Sequence, residues 1–324
     1  MPLLGPTSYP QTLESFLGHW EEVNKRLGVG HPLVLPDGLD LAGGQALLAE
    51  VEALSFAAAD ALQDQVIART GWQLTRNALR ARLAQFSDLV RAYWHSTPWA
   101  QLVGHLPQAQ ASAEKFLQPC REAQRLWTLL EAETPPPGAP NPIFLDPGGQ
   151  YGLADFTAHI AKATADALAL EAAIWNRSVA LARRNAIMNK VKTELMAYNR
   201  AVTGRLPPGD ALLSIMPALW PAPGHTPEPV ELTGAWDSAA NAARFTWSAS
   251  EDKLLSHYEL RVCAGADYNT DDERSVKRIA KDAPREAVTN LLLTQPAATA
   301  CFRLYVVLET ANEKGSNTSV IQRP

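Results

Sequence analysis

The stretch LADFTAHIAKATADALALEAAIWNRSVALARRNAIMNKVKTELMAYNRAVT, residues 153–203, holds neither proline nor glycine. Its apolar residues fall at Phe156, Ile160, Ala163, Ala167, Leu170, Ile174, Leu181, Met188, Val191, Leu195, Tyr198 and Val202. Steps of four and three are the seam of helices packed side by side. A single helix of about 50 residues runs roughly 75 Å. Gly204 and Pro207-Pro208 supply its stop.

Upstream lies a less regular counterpart: Leu47, Val51, Leu54, Ala58, Leu62 and Val66, then Leu79, Leu83, Phe86, Val90 and Tyr93. Gly71 interrupts it at a cost near ~1 kcal/mol, and by analogy with the second stretch it too reads as one helix. A shorter helix precedes each, carried by Leu13, Phe16, Leu17, Trp20, Val23 and Leu27, and by Phe116, Leu117, Ala123, Leu126, Trp127 and Leu130. Pro32-Leu33-Val34-Leu35 recurs as Pro142-Ile143-Phe144-Leu145, and Leu83, Phe86 and Val90 recur as Leu195, Tyr198 and Val202. Residues 1–217 therefore read as an internally duplicated bundle with copies at about 10–107 and 108–217, Phe86 matching Tyr198 and Leu35 matching Leu145. Between short and long helix lie the segments Gly28 to Gly44 and Thr134 to Gly152. The second, with Pro135, Pro136, Pro137, Pro140, Pro142 and Pro147, is expected to be stiff and extended. A short helix plus an extended linker can retrace a long helix, which favours two long helices running the same way; a linker that folds back makes them antiparallel.

Arg177 and Arg184 fall on the seam itself. The expected reading is a polar layer that holds register against Asp60, Asp64, Asp166 or Glu171; the alternative is an anion-binding or docking layer. Trp20, Trp72, Trp94, Trp99, Trp127 and Trp175 are expected to pack between helices. Trp94-His95-Ser96-Thr97-Pro98-Trp99 could instead form an exposed aromatic patch for a partner.

After a Pro-rich hinge at 218–227 the period changes from seven to two. Phe245-Thr246-Trp247, Tyr258-Glu259-Leu260-Arg261-Val262 and Phe302-Arg303-Leu304-Tyr305-Val306-Val307-Leu308 all alternate. Such strands within about 100 residues suit an antiparallel sandwich. With Trp247 on the second strand, Tyr258, Leu260 and Val262 on the third and Leu304, Val306 and Leu308 on the sixth, residues 228–324 resemble a fibronectin type III domain. Asn312 to Thr318 fits the turn into its last strand. Phe302 stands where that family usually has a corner tyrosine. The fold class is thus multidomain α + β, a duplicated bundle followed by a fibronectin type III-like sandwich, with Leu219, Trp220 and Trp236 expected to pack at the junction.

In that fold the third and sixth strands are antiparallel neighbours, so the resemblance implies that Cys263 and Cys301 approach each other. Alternation places both on the outer face with Arg261, Arg303 and Tyr305. Two surface thiols are the expected state, with a cross-strand disulfide or metal clip as the alternative. With Cys120, three cysteines are too few and too odd for a disulfide framework.

The 46% hydrophobic and 19% charged residues are those of a soluble globular chain. A net charge of −5 without a basic stripe argues against nucleic acid. No window is apolar enough for a bilayer span, and the start lacks a signal-peptide pattern, so a cytoplasmic location is expected, although a non-classical export route would leave no trace. Asp267-Tyr268-Asn269-Thr270-Asp271-Asp272-Glu273 opens like a calcium loop. Asp272 stands in its glycine place and Arg278 in its glutamate place, so a solvated acidic loop is expected. No HExxH, phosphate loop or nucleophile elbow is present.

The leading expectation is a non-enzymatic, rod-like structural or interaction protein without cofactor, self-associating or docking to another protein. The alternatives are a small-molecule binder or enzyme with a pocket at the bundle–sandwich junction, and an extracellular carbohydrate-binding accessory.

Overall fold

The computed structural model describes residues 3, 5–108, 110–140, 143–146 and 151–324. Pro142 and Pro147, invoked above for the stiffness of the second linker, lie outside the described residues. The helical part comprises α1 (Ser8–Leu27), α2 (Leu41–Tyr93), a 3-10 turn (Pro98–Gln101), α3 (Ala113–Ala132), α4 (Leu153–Arg205) and the single turn α5 (Ala211–Ser214). Both short helices have 20 residues and both long ones 53. As expected, α2 passes through Gly71 unbroken.

The chain forms two compact units, one of Met1–Gln63 with Asn176–Pro324 and one of Asp64–Trp175. The boundary cuts both long helices rather than falling at residue 217. In the second unit the end of α2 meets α3 and the start of α4. Phe86 stacks on Trp127 with centroids 4.7 Å apart, and Trp127 lies 5.5 Å from Phe156. Leu79, Leu83, Val90, Phe116 and Ile160 close this core.

In the first unit the start of α2 meets α1 and the end of α4. Tyr198 there takes the place of Phe86, with Trp20 at 4.9 Å and Phe16 at 5.6 Å. Leu47, Val51, Val191, Leu195 and Val202 pack around them. The linkers also correspond: Leu35 donates its N–H to the Leu39 carbonyl at 2.8 Å and Leu145 donates to Tyr151 at 3.0 Å, each two residues ahead of a long helix.

Within each unit, then, one long helix contributes its start and the other its end, so they pair antiparallel. This corrects the expectation that they run the same way. The reason lies in the linkers. Leu33, Leu35 and Ile143 are buried in the cores, and Gly38, at φ 88°, turns the first linker back. Burying three large apolar side chains, each worth about 1.5–3 kcal/mol, folds the linkers back where an extended path would leave those residues in water.

The tail forms two antiparallel sheets. One has the order β1 (Leu232–Asp237), β2 (Ala242–Trp247), β5 (Glu286–Thr289). The other runs β4 (Arg274–Ala280), β3 (Leu255–Ala264), β6 (Thr299–Leu308), β7 (Glu313–Gly315), with β8 (Ser319–Gln322) also on β6. Trp247 lies on the second strand, and the third and sixth are partners, with Tyr258 opposite Val306, Leu260 opposite Leu304 and Val262 opposite Phe302. Phe302 faces the core, 4.5 Å from Phe245. Trp247 meets Tyr258 at 5.8 Å. The tail is a fibronectin type III-like sandwich, and the stretch expected as a plain turn into the last strand contains β7.

Candidate functional site

The β3–β4 loop, residues 265–273, and strand β4 meet the helices of their own unit. Arg177 donates to the Asp272 carboxylate at 2.5 Å, and the Asn269 side-chain amide donates to the same group at 2.8 Å. Arg184 donates to the Asp271 carbonyl and to Asn185 Oδ1. The seam arginines are therefore paired with the acidic loop of the tail instead of Asp60, Asp64, Asp166 or Glu171. Asp60 reaches Arg274 on β4 at 3.6 Å, whereas Asp166 accepts from Lys162 at 2.7 Å and from Thr75 at 2.5 Å. Most of the loop is solvated as expected, with Asp267, Asn269, Thr270 and Asp271 exposed, but its last two carboxylates, Asp272 and Glu273, are buried.

Behind the loop, Arg261 donates to Glu273 at 2.9 Å, Glu259 at 2.8 Å and Glu313 at 2.7 Å. Its guanidinium lies 4.0 Å from the centre of the Tyr305 ring. The Tyr268 and Tyr305 hydroxyls donate to Glu273 at 2.7 and 3.0 Å. Alternation had placed Arg261 and Tyr305 on an outer, wet face. Both are buried, and the carboxylates of Glu259 on the same strand, Glu273 in the loop and Glu313 on β7 supply the charge that lets the guanidinium leave water. Burial raises the Glu273 carboxyl despite Arg261, while at Glu259 burial is outweighed by Arg261 and the carboxyl is lowered. Burial pushes the Tyr305 hydroxyl up to about 12.

Between this loop and the helices lies a cleft of about 240 Å³. Pro10, Ser55 and Phe56 form its helical wall, and Arg184, Glu273 and Arg274 its charged wall. Arg274 sits 4.6 Å over the Phe56 ring. No spacing in the sequence signals this cleft, since its walls come from four segments far apart in the chain.

The other expected site residues are placed differently. Trp94 is buried and Trp99 packs half-buried on the core of the second unit. Trp175, expected between helices, is exposed. Trp220 is half-exposed with the Lys192 ammonium 5.1 Å from its ring, and Trp236 lies 5.6 Å from Arg323 within the sandwich. The residue buried at this end of the hinge is Leu219.

Cys263 and Cys301 stand directly opposite each other, as the resemblance implies, but both are buried and neither is a surface thiol. Cys263 donates to the Asn269 carbonyl at 3.1 Å. Its thiol is pushed up by Cys301 and by burial. Gly265 donates to the Thr299 carbonyl at 2.8 Å, so the pair two residues back is also a hydrogen-bonded pair, with Cα atoms about 5.5 Å apart and the two thiols within hydrogen-bonding reach of each other. That separation lies within the range a disulfide spans, and in this structure both are free thiols.

Among the described residues no group of three or more His, Cys, Asp or Glu is placed to hold a metal, and no helix is long and apolar enough to cross a membrane.

No family model and no curated protein matches the chain. Solved structures similar to it include pectate lyase PelI from Erwinia chrysanthemi in complex with tetragalacturonic acid, 16% identical with a TM-score of 0.25, over 29% of this chain and 28% of that one. A Fn3-like protein from Clostridium thermocellum is 16% identical with a TM-score of 0.23, over 31% of this chain and 96% of that one. The chain spans about 28% of the length of the lyase it matches, and a likeness of this degree carries no argument about activity.

Proposed function

We propose that this is a non-enzymatic structural or protein-interaction protein of the cytoplasm, a duplicated bundle bearing a fibronectin type III-like sandwich, whose helices dock to protein. The observation that carries this reading is an apolar pattern on the second unit. Ile67 and Leu74 on α2 are 55% and 67% exposed, and Leu168 and Trp175 on α4 are 61% and 70% exposed. Each pair is spaced seven residues apart, so its members share a helix face two turns long. Scattered exposed leucines are ordinary, but paired large residues on one face, one of them a tryptophan, have the composition of a docking surface.

The favoured partner is a second copy of the chain, because helical seams of this kind are completed by further helices. Light scattering after size exclusion tests it. The expected mass exceeds the 35.2 kDa of one chain and falls to that value in Leu168→Ser/Trp175→Ser. A strictly monomeric chain at high concentration would exclude self-association and leave another protein as the partner. The small-molecule alternative is favoured by the cleft at the β3–β4 loop.

A further inference from the structure

The two units of the bundle repeat each other, and at one matched place their chemistry differs. In the second unit the residue after Leu145 is Asp146, whose carboxylate accepts from Arg82, towards the end of α2, at 2.6 and 3.2 Å. In the first unit the matched place on α4 is Glu194, one residue before Leu195 as Arg82 is one before Leu83. The linker again supplies an acid, Asp37, two residues after Leu35. The carboxyl groups of Asp37 and Glu194 are hydrogen-bonded to each other. An ion pair in one unit is thus a pair of acids in the other.

Two carboxyl groups hydrogen-bond only when one of them carries a proton. Glu194 is 8% exposed, whereas Asp37 is exposed and also accepts from the Leu39 N–H at 3.3 Å. Ionisation therefore costs Glu194 more, and it is the donor. Burial first, and then Asp37, raise the Glu194 carboxyl. The bond from Glu194 and the bond from Leu39 lower Asp37. Among the described residues the charged groups acting on Glu194 are Asp37 and Lys190, one turn earlier on α4. Lys190 opposes the shift but is exposed, so solvent screens it.

The pair sits on a turn that the first core depends on. Gly38, beside Asp37, has φ 88° and turns the linker back. Leu35 donates across that turn to the Leu39 carbonyl at 2.8 Å, and Leu33 and Leu35 are buried in the core.

We infer that Asp37 and Glu194 form a proton-operated latch on the first linker. One shared proton holds the linker to α4; its loss to solvent sets two carboxylates against each other and loosens the turn. A raised carboxyl contributes stability that is complete below its unfolded value and lost as pH rises through its folded value. The latch is therefore closed around the usual glutamate value of 4.5 and opens above it. Asp37, being lowered, stays ionised over this range. The second unit has no such proton, since a guanidinium keeps its charge throughout. The latch is independent of the docking role proposed above.

Amide exchange of the full chain, followed by NMR between about pH 4.5 and about pH 7.5 and corrected for intrinsic rates, tests it. The Leu35 amide should lose at least about threefold of its protection as pH rises. The Leu145 amide, which donates to Tyr151 in the matched turn, should lose none. Glu194→Gln keeps a donor for Asp37 at every pH and should abolish the loss at Leu35. Glu194→Arg, which copies the second unit, should do the same. Were either variant to unfold, as seen by circular dichroism, the comparison of Leu35 with Leu145 in the wild type would still decide. The inference is overturned by Leu35 protection that holds or rises with pH in the wild type, by a parallel loss at Leu145, or by Glu194→Gln keeping the wild-type dependence.

Discussion

Arg177 on α4 and Asp272 in the β3–β4 loop, 95 residues apart in sequence, form an ion pair at 2.5 Å. The carboxylate is the more deeply buried partner, with its side chain 3% exposed against 25% for the guanidinium. This inequality makes the two truncations unequal. Arg177→Ala strands a buried carboxylate and should cost about 3–5 kcal/mol. Asp272→Ala leaves a guanidinium that can turn to water, and should cost about 1–3 kcal/mol. Urea unfolding of both variants checks the order; equal losses would mean that the pair's burial does not govern its energy.

At the hinge, Leu219 is buried in the core of the first unit, and its carbonyl accepts from the Leu3 N–H at 3.0 Å. Trp220 is half-exposed beside Lys192. Leu219→Ala should therefore lower stability by about 2–4 kcal/mol, and Trp220→Ala by less than about 1 kcal/mol. Thermal unfolding of the two variants side by side is the check. A larger loss for Trp220→Ala would contradict this packing.

The opposed cysteines should remain thiols in an oxidising buffer. After native incubation with oxidised glutathione, unfolding and alkylation should label all three cysteines. Burial and the raised Cys263 thiol keep the reactive thiolate scarce; mass spectrometry that found a Cys263–Cys301 disulfide instead would show that burial does not protect a pair whose spacing is within disulfide reach.

Acid should weaken the fold before the carboxylates titrate. His159 and His257 are both held below the ordinary imidazole value, in each case chiefly by burial, with Arg82 and Lys162 adding at the first and Arg278 and Arg261 at the second. Glu259 opposes the shift at His257. Around pH 6.5 the unfolded chain therefore binds more protons than the folded one. The contribution is present above about pH 6.5 and is lost as pH falls through it towards the folded values. Glu273, raised by burial, has the opposite sign, since its contribution is lost as pH rises through its folded value. The diagnostic quantity is thus the difference between wild type and His159→Gln/His257→Gln. Denaturation midpoints at about pH 7.5 and about pH 5.5 should fall more in the wild type. Equal slopes would remove the histidines from the account.

Local periodicity and its direct consequences were legible in the chain without any tertiary information. Steps of four and three define two long helices, because every residue on a helix has its angular position set by its number. Alternation defines the strands, and the pairing of β3 with β6 is what their resemblance to a fibronectin type III domain implies. The match of Phe86 with Tyr198 is legible because both occupy the same step of a repeated pattern, and in each unit the residue meets the tryptophan of a short helix. The opposition of Cys263 and Cys301 follows from the same resemblance.

What each of those faces meets was settled by long-range packing. Periodicity puts Arg177 and Arg184 on a seam, but a seam has no name for its partner, and Asp272 was as plausible in water as in a clasp. Alternation put Arg261, Tyr305 and both cysteines on the outer face of a sheet; it carries no information on whether that face is later covered. The direction of the long helices turned on whether Leu33, Leu35 and Ile143 would be buried, a choice between two long-range arrangements with the same local pattern. Angular position is a property of the chain near each residue. Burial and charge pairing are properties of whatever distant segment arrives beside it.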